Sequence, residues 1–395
     1  MRYDAVVIGA GPAGAMCALA LARAGWRVAI VEKAEFPRRK VCGEFISAPA
    51  LALLRHAGLN DVMHDAGPEI SEVAIFAGER IVSTSMPAGE GPFRYGRALA
   101  RDRLDSRLLD AARRAGAEVW QPWRVKRYVQ AGGRYVCSIE RKVPYERKDL
   151  EARVVVAAHG SWDTGRIEPA PRERKPAAGD LFAFKARFSG GTLRRRVMPL
   201  VAFPGGYGGL VTADSNETSF SCCITRAAIK ACRGEVAATT AGAAVLAHVF
   251  GACLGMREVL GGAAREGAWL AAGPLRPGYH ASCGDGVFAV GNAMADAHPI
   301  VAEGISMAIQ SAALLGERLI AATPACEDWE AVARSYEAAY RRNFGVRIAA
   351  SAAFAQVAMR PAAAGAAASV LQRVPALLAL GASWAGKASP FNAST

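Results

Sequence analysis

Four apolar residues, Ala5–Ile8, run unbroken and stop at Gly9. That is the pattern of a strand buried on both faces. From Gly14 to Ala24 small and apolar residues recur at helical spacing, and Gly25-Trp26 turns the chain into a second strand over 27–31, closed by Glu32. Strand, Gly-rich turn, helix and strand make one βαβ unit of a parallel sheet. A loop over 36–47 carries the basic cluster Arg38-Arg39-Lys40, and residues 48–58 predict a helix ended by Gly58. Strand-like pieces follow over 72–85. Residues 101–115 predict an amphipathic helix stopped by Gly116, a new strand series starts over 118–125, and 154–158 is another fully apolar strand, ending in His159-Gly160.

Residues 166–175, rich in Pro and charge, read as a surface linker. Residues 181–188 alternate: Phe182, Phe184, Ala186 and Phe188 share one face and Lys185 and Arg187 the other, the signature of a half-buried strand. Residues 201–203 and 219–224 read as partners in an antiparallel sheet. The longest uncharged stretch, near 236–256, is rich in Ala, Gly and Thr and contains His248. It predicts a helix of a soluble domain, since a membrane span needs about 20 strongly apolar residues. Residues 287–290 form one more apolar strand, followed by Gly291 and a helix from about Gly304. From Trp329 onward the chain reads as Ala-rich helix broken at Pro361 and Pro375, with no internal repeat.

With 395 residues, 52 % of them apolar and 21 % charged, the chain can bury a sizeable core in two or three domains. Disorder and a small disulfide-stapled fold are excluded. The net charge of +13 favours an anionic partner: a phosphorylated ligand, anionic lipid, an acidic carrier protein or nucleic acid. No run of Lys and Arg exceeds three residues and no finger or RNA-binding signature occurs, so nucleic acid is not expected. Nine cysteines without a C-x-x-C pair, and no metal-ligand spacing, fit a reduced protein without a metal site. Met1-Arg2-Tyr3-Asp4 leads straight into a strand with no signal peptide, which predicts a cytoplasmic location.

Gly9-Ala10-Gly11-Pro12-Ala13-Gly14 stands between the first strand and the first helix and matches G-x-G-x-x-G. Gly9 serves the tight turn, Gly11 the close approach of a pyrophosphate, and Gly14 the packing of helix on strand. The free N–H groups of the helix N-terminus attract the phosphates. Glu32 is placed to accept hydrogen bonds from ribose hydroxyls. Even with Lys33 beside it, its carboxylate repels a 2′-phosphate, so FAD or NAD is expected here, not NADP.

The Pro-Ala inside that fingerprint is typical of FAD-binding two-dinucleotide-fold proteins. A second element, Cys283-Gly284-Asp285-Gly286-Val287-Phe288-Ala289-Val290-Gly291-Asn292-Ala293 with Pro299 and Glu303-Gly304-Ile305, is similar to their second flavin motif. Over roughly residues 1–320 the chain resembles the superfamily of geranylgeranyl reductases and aromatic hydroxylases, the group A flavin monooxygenases. Lys40-Val41-Cys42-Gly43-Glu44 resembles the reductase branch, and Arg101-x-x-Leu104-Asp105 the helix that reaches FAD. The resemblance implies an α/β fold: a Rossmann-like FAD-binding domain (1–70, 96–165 and 276–328), an inserted antiparallel-sheet substrate domain (71–95 and 166–275) and a helical C-terminal region (329–395). It implies FAD as cofactor and NAD(P)H as external electron donor. The implied cofactor contacts are Gly9, Gly11, Pro12, Ala13, Gly14, Glu32, Lys33, Lys40, Cys42, Gly43, Arg101, Val125, Gly291, Asn292, Pro299, Gly304 and Ile305. Gly291 and Asn292 would meet the ribityl chain, and the helix from Gly304 would aim its positive end at the flavin ring.

The chain departs from the family at several places. Asn292 stands where relatives carry Asp, keeping a carbonyl acceptor without the charge, and His159 stands in place of an Asp after the apolar strand. In the region that walls the lipid pocket of the reductases, Tyr207 is retained and Gly209 replaces a Trp, leaving room for a flatter or bulkier substrate. A Gly-rich turn over 205–209 would approach the ring plane. The Trp-x-Trp-x-Ile-Pro motif of flavin halogenases is absent, which argues against halogenation. Catalytic candidates are His298 as a proton donor, Tyr207, and Cys42 beside three cations, the last either redox-active or simply packed near the ring. The expected activity is an FAD-dependent oxidoreductase on a hydrophobic small molecule. A monooxygenase hydroxylating an aromatic or polyketide-like substrate is favoured. A reductase of a lipid or prenyl alkene, and a non-catalytic lipid-binding escort, are the alternatives. The substrate would be free, held on a carrier protein or drawn from a membrane. In the C-terminal region Leu371, Val374, Leu377, Leu378 and Leu380 form an apolar stripe flanked by Arg373 and Lys387. It would pack on the FAD domain or a second subunit, or lie peripherally on an anionic membrane.

Overall fold

The computed structural model describes residues 1–161, 175–213, 217–235, 240–323, 326 and 328–387. Apart from Lys175, the linker reading for 166–175 lies outside them. A five-stranded sheet forms the centre, in the order Val287–Ala289, Val154–Ala157, Ala5–Ile8, Val28–Val31, Glu118–Trp120, all parallel. Its strands are unbroken apolar runs because both faces are covered. On one face Pro12–Arg23, Arg101–Arg114 and Gly304–Ala322 pack in one core with Leu19, Leu104, Leu108, Ile309 and Leu315. On the other lies an antiparallel sheet of Arg124–Ala131, Arg134–Lys142 and Tyr145–Ala152, whose Val125, Cys137, Ile139 and Leu150 meet Val6, Ile8, Ala29 and Val155.

A second, seven-stranded sheet runs in the order Ala264–Leu275, Leu181–Ser189, Thr218–Thr225, Gly206–Thr212, Val197–Phe203, Glu72–Ala77, Arg80–Ser85. Its outer face carries Phe184, Phe188, Phe203 and Phe220 beneath Ala241–Ala252 and Leu254–Leu260. Each buried aromatic there contributes on the order of 1.5–3 kcal/mol. Four expectations are corrected. The segments near 201–203 and 219–224 are not neighbours, because Gly206–Thr212 lies between them. The Gly-rich 205–209 is a turn only at Gly205; from Gly206 it is strand. The polar side of Leu181–Ser189 faces no solvent, since Lys185 is buried and Arg187 nearly so, both turned toward the FAD-binding half. The uncharged stretch is two helices broken at Cys253, its residues 236–239 lying outside the described ones.

The C-terminal region is helical, as Trp329–Ala358, Pro361–Arg373 and Ala376–Trp384, and the last two meet at 114°. Trp329–Ala358 places Tyr336, Tyr340 and Phe344 in the central core. Pro361–Arg373 and Ala376–Trp384 cover the inner face of the seven-stranded sheet through Ala364, Ala368, Leu378 and Ala382. Lys387 is not the exposed cationic flank the sequence suggested: it is buried. Among the described residues one helix, Gly304–Ala322, is long and apolar enough to cross a membrane, and it is mostly buried against the central sheet.

Candidate functional site

The fingerprint loop is built by backbone contacts. Gly9 has φ +106°, and a Cβ there would meet the Ala158 carbonyl oxygen at 2.6 Å. A Cβ on Gly14 would strike the Gly9 carbonyl oxygen. Gly11 differs, because within 4 Å its Cβ would meet only Arg101 Nη2, at 3.8 Å. Its surroundings are open on the side a ligand would take. Pro12–Arg23 starts there without a side-chain cap, so its first N–H groups face that space. Glu32 is buried, and its carboxylate accepts from Ala10 N–H and Ala34 N–H, each at 2.9 Å. It thus ties the loop to the second strand while keeping lone pairs for a further donor. Glu32, Lys33, Lys40 and Val125 line one groove with Gly9, Gly11, Arg38 and His159.

The groove runs past a charged knot. Arg101 is buried and donates to both oxygens of Asp105, at 2.7 and 2.8 Å, while its guanidinium also reaches the Cys42 thiol. Burial, then the neighbouring Arg101 and Arg38, push the Lys40 pKa down to about 8. Glu44, absent from the sequence-derived list, proves central. It is buried at φ +63°, pairs with Lys185, and accepts from Arg187 at 3.4 Å and from the Arg101 N–H at 3.3 Å. The signal for it was two basic residues on an otherwise apolar strand.

At the far end Gly291 has φ +57°, and a Cβ there would meet Ala13 Cβ at 2.9 Å. The left-handed φ and the packing of Pro12–Arg23 both require glycine here, beside the ribityl approach that the resemblance implies. Asn292 donates to Ser161 Oγ at 3.0 Å. The loop Pro299–Gly304 leads into an uncapped helix N-terminus. Ala302 sits at φ +51°, a left-handed conformation costing on the order of 1 kcal/mol. Lys387 holds the loop by donating to Val301 O at 2.7 Å, Ala302 O at 3.4 Å and the Glu303 carboxylate at 2.7 Å. Opposite, the buried Tyr207 hydroxyl lies 3.0 Å from His298 Nδ1 and also contacts the Cys223 thiol. Burial raises the Tyr207 pKa well above its ordinary value and lowers that of His298.

These parts share one trough. Gly11, Pro12, Ala13, Lys40, Cys42, Gly43, Arg101, Tyr207, Asn292, Pro299, Gly304 and Ile305 all line a pocket of about 200 Å³. Gly9, Gly14 and Gly291 shape its backbone from behind, and His298 stands behind Tyr207. A second cavity of about 430 Å³, almost wholly apolar, lies between the seven-stranded sheet and the C-terminal helices. The two share Met198, Leu200 and Ile300 as wall residues. Two uncapped helix N-termini at the ends of one trough, with open space at Gly11, suit a dinucleotide carrying a flavin ring.

Residues 2–172 match the family described as FAD binding domain. The chain is 39 % identical to a menaquinone reductase of Mycobacterium tuberculosis over 120 residues, 29 % of this chain and 28 % of that protein. It is 38 % identical to digeranylgeranylglycerophospholipid reductase 2 of Methanopyrus kandleri over 168 residues, 40 % of this chain and 38 % of that one. The chain thus spans about a third of the length of the curated relatives it matches. A flavin-dependent brominase shares the fold at TM-score 0.78 and 18 % identity, over 99 % of this chain and 95 % of its own. Fold and site define an FAD-binding protein of the two-dinucleotide class. Over its first 172 residues the chain is similar to FAD-binding proteins that include digeranylgeranylglycerophospholipid and menaquinone reductases.

Proposed function

We propose that the protein is an FAD-dependent oxidoreductase that reduces a carbon–carbon double bond in a small molecule with an extended hydrocarbon part. The observation that carries this reading is the apolar cavity that shares Met198, Leu200 and Ile300 as wall residues with the flavin trough. A hydrocarbon chain filling it gains roughly 25 cal/mol for each Å² withdrawn from water, with the reactive end left beside the ring. FAD, when bound, supplies the two-electron chemistry, and NAD(P)H is the proposed external donor. Gly11 and the helix N-terminus behind it hold the pyrophosphate, with Arg101 fixed alongside by Asp105. The uncapped N-terminus of Gly304–Ala322 would favour negative charge on a flavin held in the trough. Cys42, which lines the trough, would lie against the cofactor. Tyr207 Oη is the proton donor to the substrate carbon, and the neutral His298 ring, with Nδ1 3.0 Å away, gives a proton back to Tyr207 as its Nε2 takes one up from water.

Tyr207→Phe is expected to keep FAD and to lower kcat by about 10²-fold or more. Mass spectrometry of the product tests the reaction: a gain of two hydrogens supports reduction. A gain of one oxygen selects the second reading, hydroxylation of a flat ring, which Gly209 favours because no side chain fills the pocket wall there. Protein that stays colourless after reconstitution with FAD would overturn both.

A further inference from the structure

We infer that the bend between Pro361–Arg373 and Ala376–Trp384 is a docking surface for an anionic lipid bilayer, and that it feeds apolar substrate directly into the cavity beneath it. The inference rests on the proposed reading for the substrate's fate but not for the docking itself. Around the 114° bend Val370, Val374, Leu377, Leu380 and Trp384 are between 44 and 55 % exposed. Contiguous exposed apolar surface marks an interaction site, and an exposed Trp suits the bilayer interface.

Charge identifies the partner. From Ala338 to Thr395 the sequence contains no Asp or Glu, in a chain that has 35 of them. In the same stretch Arg360 and Arg373 are exposed at the two ends of Pro361–Arg373. A second copy of the chain would set these cations against themselves. An acidic protein would match the charge, but the bend offers it an apolar surface with few polar groups besides Arg360, Gln372 and Arg373. An anionic bilayer satisfies both features, burying the apolar side chains and pairing the guanidinium groups with headgroups.

The mouth of the cavity lies on the same elements. Val370 and Leu377 are half-exposed and also line the cavity, whose far wall reaches the flavin trough. A lipid tail entering between them would lie against the wall of Met198, Leu200 and Ile300 that the cavity shares with the flavin trough.

Co-sedimentation of the full chain with phosphatidylcholine vesicles, with and without phosphatidylglycerol, tests the proposal at low and high salt. The expected result is binding to the phosphatidylglycerol vesicles at low salt, weakened at high salt and weakened at least about tenfold by Arg360→Glu/Arg373→Glu. Leu380→Glu/Trp384→Glu should weaken it too, with flavin absorbance retained in both variants. Three results would overturn it: full chain left in the supernatant at low salt, charge-reversed protein binding like wild type, or a dimer in light scattering that the same substitutions dissolve. Alkene reduction measured in detergent is independent of vesicles, so its failure would strike the proposed function and leave the docking result standing.

Discussion

His298 shows how one buried side chain couples the site to pH. Burial lowers its pKa below the ordinary 6.5, so the folded protein keeps it neutral where the unfolded chain takes up a proton. As pH falls through 6.5 the unfolded state binds more protons. Its share of the stability is therefore lost until pH passes the lowered folded value. His298→Gln should flatten that part of the profile, which urea unfolding between about pH 7.5 and about pH 5 would measure. An unchanged slope would mean that the ring is hydrated in the fold. Residues of this kind differ in how far a sequence reveals them. The fingerprint glycines are legible because a tight turn and a close approach admit almost nothing else. Glu44 is not, since its partners Lys185 and Arg187 stand on a distant strand and only folding brings them together. Breaking such a buried pair costs about 3–5 kcal/mol, which makes it a structural hinge between the two halves.

At the level of elements, the three glycines at the head of Pro12–Arg23 separate into distinct functions. Gly14→Ala pushes a methyl into the Gly9 carbonyl oxygen, forcing the helix off its strand, and should lower stability by about 1–3 kcal/mol in thermal unfolding. Gly11→Val meets open space, so the fold should survive while the purified protein loses its yellow colour. A yellow Gly11→Val protein would contradict the assignment of the pyrophosphate to this loop. The βαβ unit was readable because its strands are buried on both faces and its helix keeps one period. The seven-stranded sheet was not. Alternation shows which face of a strand is buried and says nothing about its neighbour, and Gly206, Gly208 and Gly209 have no side chains to alternate.

Across the whole molecule, the cavity is assembled from the inner face of the seven-stranded sheet, the Pro299–Val301 turn and the C-terminal helices. No local pattern announces a space bounded by such distant segments, so the FAD-binding domain was legible in the sequence and the second chamber was not. Lys387 joins these parts. With Lys387→Met, Glu303 would stay buried with only Ser47 Oγ, 3.3 Å away, as its side-chain partner, and the left-handed Ala302 would lose its support. Lower melting temperature and weaker FAD affinity should appear together in a thermal shift assay with and without FAD. Wild-type values in both would show that the loop holds itself. The order of strands in the central sheet has a consequence for biosynthesis. Val154–Ala157 gains its outer neighbour only when Val287–Ala289 has been made, after almost the whole second sheet. Until then the nascent chain presents a bare, wholly apolar β edge to other chains on the polysome. Slower translation in a cooler culture lengthens that interval but weakens hydrophobic association. The yield of soluble protein should therefore depend more on chaperone supply than on the rate of synthesis.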